Sequence, residues 1–411
     1  MDFKNYLVPG KTGLLIGIGG VSMSPLAEVL HDAGLDIRGS DMAESSNTLT
    51  LREHGIPIHI GHSADNVTDD ISFVIRTAAV HDDNPEVHEA HRRGIPVFER
   101  TQAWGALMRG YQNALCISGT HGKTTTTSMC THIMMAAEKD PTVMIGGTLP
   151  LLKACHRVGK GNTIIMESCE YYNSFLALNP TIAVVLNIEA DHLDFFKDLE
   201  DIKHSFRCFA ERVPAETGTV IANYDDANTM DALRGIARKV ITFGLNPKAD
   251  VYAQNIVHRG SVSEFDIYHR GNYFARVTLH VPGIHNVRNA LAATAAAIVL
   301  GVSPNAVKYG LAGFEGAGRR FEVYGECNGA LVIDDYAHHP TELRATLNTA
   351  KEMGYKRLIA VHQPFTYSRT KMLFNDFVDV LKIPDITVLT PIMGSREPND
   401  PTITSAKLET S

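Results

Sequence analysis

The stretch from Ala114 to Ala137 constrains this chain more than any other. A short apolar run, Ala114 to Ser118, leads directly into Gly119-Thr120-His121-Gly122-Lys123-Thr124-Thr125, and a helical pattern follows from Thr124 to Ala137. Glycines at the end of a strand let backbone N–H groups close around phosphate oxygens. A lysine neutralises the terminal phosphates, and the next hydroxyl is placed to hold Mg²⁺. The spacing departs from the usual eight-residue phosphate loop, which has Gly where Ile117 stands. Strand, anion loop and helix in this order predict a parallel sheet with crossover helices.

The remaining pattern agrees with an α/β chain of three units, over residues 1–110, 111–313 and 314–411. The first reads as Rossmann-like. Gly13 to Ile18, Asp36 to Gly39, Phe73 to Arg76 and Pro96 to Phe98 are predicted strands, and Met23 to Ala33 and Asn84 to Arg93 are helices. The second unit follows the loop at Gly119. Its central strands are Thr163 to Met166 and Ile182 to Leu186. Ser263 to Tyr268 and Tyr273 to Leu279 alternate around Arg270-Gly271-Asn272 as a hairpin, and Asn286 to Leu300 is an Ala-rich helix. In the third, strands Leu331 to Asp334, Arg357 to Val361 and Ile386 to Thr390 alternate with helices Thr341 to Met353 and Lys371 to Leu381. Thr404 to Thr410 reads as the start of another helix.

Charge and cysteine usage exclude several functions. The net charge of −8 comes with no long basic run, which argues against nucleic acid as the main partner. Six cysteines are scattered without a C-x-x-C pair, so they read as reduced, buried thiols rather than a disulfide or zinc framework. Met1-Asp2-Phe3-Lys4 begins no charged-then-apolar leader, and no apolar run reaches the roughly 18 residues that span a bilayer. A cytoplasmic protein without membrane insertion is the simplest expectation.

A second glycine loop, Gly17-Ile18-Gly19-Gly20, follows the first predicted strand, with Asp41 at the end of the next. Taken alone it is compatible with a dinucleotide site, with another anion at a helix N-terminus, or with close packing only. Glu170 and His192 each follow a central strand at its C-terminal end, where α/β sites form, and a hard carboxylate suits Mg²⁺. Glu167, nearer its strand, is expected to be structural.

Gly119 to Thr125 resembles the ATP loop of the Mur ligases. Further segments resemble that family in order: Gly17 to Ser24 with Gly39-Ser40-Asp41, Asn187 to Asp194, Pro282 to Ala290, Arg319-Arg320-Phe321-Glu322, and Asp334 to Glu342. The run Asp335-Tyr336-Ala337-His338-His339-Pro340-Thr341-Glu342 and the Met23-Ser24 pair resemble its alanine-adding branch. The resemblance implies an ATP- and Mg²⁺-dependent ligation of L-alanine to the carboxylate of UDP-N-acetylmuramic acid through an acyl phosphate. It places ATP on Gly119, Thr120, His121, Gly122, Lys123, Thr124, Thr125, Asn286, Asn289, Arg320 and Asp335. It places the nucleotide sugar on Gly17, Gly19, Gly20, Ser22, Met23, Ser24, Asp41, His338 and Arg369. Thr124, Glu170 and His192 are the implied metal ligands, and Lys123, Glu170, His192 and Arg320 the implied catalytic groups.

Two departures from the family pattern stand out. Cys169-Glu170-Tyr171-Tyr172 keeps the glutamate of an acidic run but not its flanking acids, and Phe365 stands where the family has His. Family members usually continue beyond the equivalent of Ser411, so the third unit is expected to be incomplete and less stable than the other two. A monomer or weak homodimer is expected. A Mur ligase adding another amino acid or peptide, a non-catalytic nucleotide-binding relative and an NAD-dependent oxidoreductase remain as alternatives. The loop at Gly119 speaks against the last.

Overall fold

The computed structural model describes residues 2–77, 79–395 and 397–409. Thr12–Ile16 is buried at every position and lies between two parallel neighbours, Asp36–Asp41 and Ile71–Arg76. Ile58–Ile60 and Val97–Glu99 extend this sheet, giving the order Ile58–Ile60, Asp36–Asp41, Thr12–Ile16, Ile71–Arg76, Val97–Glu99. The chain reverses direction across the sheet beside Thr12–Ile16. A crevice therefore opens at the C-terminal end of that strand, where the first glycine loop begins. Gly39 lets this loop pack closely: a Cβ there would fall 2.3 Å from Ile18 Cδ1.

The central sheet is larger. Among the described residues it has ten strands, ordered Asn272–Leu279, Val262–His269, Val251–Arg259, Lys239–Gly244, Thr219–Asn223, Ile182–Val185, Asn113–Ser118, Thr163–Glu167, Thr142–Leu149, Ala154–Arg157. The middle of this order, from Val251–Arg259 across to Thr142–Leu149, is parallel. The expected hairpin forms as Val262–His269 and Asn272–Leu279, and Val251–Arg259 pairs with it as a third antiparallel strand absent from the sequence expectation. The Ala-rich helix is Ile284–Val299; its small side chains are almost all buried and let it lie close to the sheet and to the helix Lys123–Ala136.

The third unit differs in detail from a single alternating sheet. Ala330–Asp334 pairs antiparallel with Glu322–Cys327, separately from the parallel pair Ile359–His362 and Ile386–Leu389. The helix expected over Lys371 to Leu381 is two helices, Tyr367–Met372 and Phe374–Val380, because Leu373 adopts φ −99°, ψ 27° between them. One side of the parallel pair packs on Leu343, Leu347, Phe377 and Val380. Ile359, Val361, Ile386 and Val388 on the other side are exposed.

All six cysteines are free. Cys116 and Cys130 are buried as expected, but Cys327 is exposed at the turn between Glu322–Cys327 and Ala330–Asp334, and Cys169, in the cleft between the first two units, is exposed to it. The expectation of uniformly buried thiols is corrected accordingly. Among the described residues no helix is long and apolar enough to cross a membrane.

The first and central units meet along helix Arg100–Met108. Asn179 Nδ2 of the central unit donates to the Gly105 carbonyl at 2.7 Å, while Trp104 Nε1, within the first unit, fixes the helix to its glycine loop by donating to the Ser22 carbonyl at 3.3 Å. A Cβ on Gly105 would sit 2.0 Å from the Ala177 carbonyl oxygen, so the seam closes only around glycine. Gly105→Ala is expected to cost about 1–3 kcal/mol through this overlap, read as a lower urea midpoint; an unchanged midpoint would contradict the tight seam.

Candidate active site at the junction of the three units

The loop after Asn113–Ser118 is shaped by backbone geometry before any side chain acts. Gly119 and Gly122 take φ of +143° and +85°, values that disfavour a side chain. Thr120 N donates to the Asn187 carbonyl at 3.0 Å, and His121 N donates to Asn187 Oδ1 at 2.8 Å, so the loop is strapped to the neighbouring strand end. Helix Lys123–Ala136 has no side-chain N-cap, nor has helix Ser24–Asp32 after the first glycine loop. Both therefore offer backbone N–H groups to an anion.

Lys123 is folded into the loop. Its ammonium donates to the Gly119 and Thr120 carbonyls at 2.5 and 3.1 Å and meets Glu170 at 3.0 and 3.2 Å. Burial opposes its charge, but Glu170, joined by Cys169 and Glu167, prevails and raises its pKa. Glu170 is itself only 2% exposed. An arriving phosphate would compete with Glu170 for the lysine, so these two groups form a charge exchange point rather than an inert pair.

Thr124 Oγ1 donates to Glu167 Oε1 at 3.1 Å, and Gly146 N donates to Glu167 Oε2 at 2.7 Å. Glu167 thus has the structural contact expected of it, yet it also lies against the Thr124 hydroxyl, a proximity the sequence did not disclose. The hydroxyl with the Glu167 and Glu170 carboxylates is a hard oxygen set of the kind Mg²⁺ takes. His192, at φ +52°, stacks on Tyr171 with ring centroids 4.3 Å apart. The Tyr171 hydroxyl donates to Asp194 at 2.5 Å. Aromatic packing therefore occupies the place where the family pattern has flanking acids.

Two cavities converge on this point. One, of about 310 Å³, is lined by His121, Thr125, Asn286, Asn289 and Arg320, with Asp335 at its far wall. Asp335 accepts from Phe321 N and Ala337 N, both at 2.8 Å, while burial raises its pKa. Arg320 lies over the Tyr336 ring at 5.1 Å and has no carboxylate partner among the described residues. The second cavity, of about 320 Å³, lies between the first and central units and is lined by Gly20, Ser22, Met23, Arg100, Trp104 and Glu167. Asp41 braces its loop by accepting from Gly19 N at 2.8 Å. Ser22 Oγ is buried there without a partner. Gly17 and the buried Ser24 flank the same loop.

His338 and Arg369 line neither cavity. His338 Nδ1 sits 2.9 Å from the Tyr336 carbonyl oxygen. The Arg369 guanidinium reaches Asp191 at 2.9 and 3.0 Å and donates to the Phe365 carbonyl at 2.7 Å. Burial disfavours the Asp191 carboxylate, but the charges of His192 and then Arg369 lower its pKa to about 2. Arg369 therefore ties the third unit to the loop that carries His192.

His121 makes a second tie. It lies 3.4 Å from Glu189 in its own unit and 3.1 Å from Glu342 in the third, while Thr341 Oγ1 donates to Glu189 at 2.6 Å. Burial works against the imidazolium, yet the hydrogen bonds to Glu189 and Glu342 prevail and raise its pKa to about 9. Glu189 and Glu342 were not singled out in the sequence as site residues, because a lone glutamate carries no local signature of its partner.

A strand–glycine loop–helix with a buried lysine, facing a cleft that three α/β units close, is the plan of an ATP-dependent ligase. Family models match the chain in three consecutive parts: the Mur ligase family catalytic domain over residues 15–112, the Mur ligase middle domain over 117–297, and the Mur ligase glutamate ligase domain over 319–410. The chain belongs to the Mur ligase family. It is 47% identical over 385 residues to the UDP-N-acetylmuramate–L-alanine ligase of Agathobacter rectalis, covering 93% of this chain and 84% of that protein. It is 44% identical over 408 residues to the enzyme of that name from Clostridium novyi, covering 99% and 88%. The solved UDP-N-acetylmuramate–alanine ligase of Thermotoga maritima superposes with a TM-score of 0.76 at 31% identity, covering 93% of this chain and 86% of that one. A murein peptide ligase of Psychrobacter arcticus gives 0.71 at 26%, covering 92% and 84%.

The His121 contacts carry a pH dependence. The docked form holds the imidazole proton more tightly than the free group, whose pKa is 6.5, so its contribution to docking is complete below about pH 6.5 and fades as pH rises through about 9. Proteolysis between the central and third units is expected to accelerate from pH 6.5 to 9.5, and Glu342→Gln should move that acceleration to lower pH. A cleavage rate with the same pH profile in both proteins would contradict the assignment.

Proposed function

We propose that this chain joins L-alanine to the lactyl carboxylate of UDP-N-acetylmuramic acid, with ATP converted to ADP and phosphate, as a step in peptidoglycan precursor synthesis. The observation that carries this is the contact between Thr124 and Glu167. Thr124 lines the cavity of the glycine loop, and Glu167 lines the cavity between the first two units. The two clefts therefore meet end to end across one hydrogen bond, as a reaction between a nucleoside triphosphate and a nucleotide sugar requires. Relatives that share this architecture over most of both chains and carry that activity in their names support the same assignment.

A carboxylate is a poor electrophile, and direct amide formation in water is uphill. Transfer of the γ-phosphoryl group to the muramoyl carboxylate makes an acyl phosphate, which the amine of alanine then attacks, with phosphate as the leaving group. In this scheme Lys123 exchanges Glu170 for the phosphate oxygens, and Arg320, free of a carboxylate partner among the described residues, meets the charge that develops on them. The loop N–H groups and the N-terminus of helix Lys123–Ala136 hold the β- and γ-phosphates, while Asn286, Asn289 and Asp335 define the nucleoside end of the cavity. Gly17, Gly19, Gly20, Ser22 and Met23 receive the nucleotide sugar, and Asp41 keeps their loop in shape. Thr124, Glu167 and Glu170 would hold Mg²⁺, which when bound would neutralise phosphate charge, and His192 would act from its place on Tyr171, within the field of Glu170. Arg369 and His121 hold the third unit against the other two, which keeps water from the acyl phosphate.

The test is phosphate release in the presence of ATP and Mg²⁺. Release is expected only when UDP-N-acetylmuramic acid and L-alanine are both supplied. Lys123→Ala should remain folded and lose activity by roughly a hundredfold or more. Near-normal turnover of that variant, or tight NAD(H) binding at Gly17–Ser24 with no binding of the nucleotide sugar, would overturn the assignment.

A further inference from the structure

Arg100 opens helix Arg100–Met108 directly after strand Val97–Glu99, at the end of the first sheet where the Gly17 loop also lies. Its side chain is half-buried and lines the cavity between the first and central units, together with Ser22, Thr77 and Ser168. Among the described residues it makes no hydrogen bond and no ion pair. The carboxylates that could neutralise it are committed elsewhere: Glu99 to Arg76 at 2.9 Å, and Glu167 to Thr124 and Gly146. Burial pulls its pKa below the usual guanidinium value, and the weak fields of Cys169 and Glu99 do not restore it.

A guanidinium partly withdrawn from water without a counter-charge carries a desolvation cost that no contact within the fold offsets. Other arginines of this chain show the alternative: Arg38, Arg76, Arg93 and Arg369 each meet a carboxylate within 3 Å. Arg320, which meets no carboxylate among the described residues and lies over the Tyr336 ring, lines the other cavity beside the phosphate loop. A second, independent sign of a polar ligand in the Arg100 cavity is the Ser22 hydroxyl, buried there without a partner.

Building on the assignment of this cleft to the nucleotide sugar, we infer that Arg100 is a binding residue for an anionic oxygen of that substrate, on its diphosphate or its lactyl carboxylate. The guanidinium is pre-placed by the helix start, so substrate arrival supplies the missing counter-charge and completes the seam between the first and central units. Cleft and charge are matched to a substrate carrying negative groups at both ends of its sugar.

Calorimetric titration of the full chain tests this with three proteins, wild type, Arg100→Met and Arg100→Lys, and three ligands, UDP-N-acetylmuramic acid, UDP-N-acetylglucosamine and ATP with Mg²⁺. Arg100→Met is expected to weaken UDP-N-acetylmuramic acid by roughly ten- to a hundredfold, with Arg100→Lys recovering part of the loss and ATP affinity unchanged in both. An equal loss for UDP-N-acetylglucosamine assigns Arg100 to the diphosphate, and a loss confined to UDP-N-acetylmuramic acid assigns it to the carboxylate. If wild type binds the muramic acid nucleotide and Arg100→Met binds it within twofold, the inference fails while the substrate assignment stands. If wild type binds no nucleotide sugar, the substrate assignment fails and takes the inference with it. Loss of ATP binding in both variants would show a structural role and also overturn the inference.

Discussion

The ion pair between Lys123 and Glu170 is the constraint on which the site depends. Both groups are withdrawn from water, and each offsets part of the cost of burying the other's charge. Their meeting requires the glycine loop to end one strand and the Cys169–Tyr172 segment to follow another, with the two strands adjacent and parallel. Asn113–Ser118 and Thr163–Glu167 satisfy this as direct neighbours. A phosphate can enter only by substituting for a carboxylate, which makes occupancy of the loop sensitive to charge and leaves neutral molecules without purchase.

Around that pair the three units contribute unequal parts. The central unit supplies a rigid base in its ten-stranded sheet. The first attaches through a seam so close that Gly105 meets a carbonyl oxygen. The third touches the base through charged contacts, Arg369 with Asp191 and His121 with Glu342, and Thr341 with Glu189. One apolar cluster, with Trp104, Met108, Phe175 and Leu178, runs through the first joint, whereas the ionic contacts of the second are of the kind that water and ligands can compete for.

Much of this was legible in the sequence where the signal is local. The glycine loop, its lysine and the strand before it are read from consecutive residues, and the Ala-rich helix and the hairpin follow from their periodicity. What stayed hidden depends on residues far apart in the chain. Val251–Arg259 is buried over its first three residues and largely exposed beyond them, so it has no alternating signal; it becomes a strand through pairing with Lys239–Gly244 on one side and the hairpin on the other. The pairing of Thr124 with Glu167 and of His121 with Glu342 joins different elements. Arg369 resembled a substrate-side arginine in its motif, but the fold also gives it Asp191. Arg100 sits in a run without a motif, Phe98-Glu99-Arg100-Thr101, and it is its lack of a partner among the described residues, in three dimensions, that sets it apart.

The central claim is that the two clefts feed one reaction in which the muramoyl carboxylate attacks the γ-phosphate. Turnover of UDP-N-acetylmuramic acid labelled with ¹⁸O in the lactyl carboxylate, in the presence of ATP, Mg²⁺ and L-alanine, tests it most directly. One labelled oxygen should appear in the released phosphate for each amide formed. Amide formation with unlabelled phosphate would contradict the acyl phosphate route and the joint role given to the two clefts.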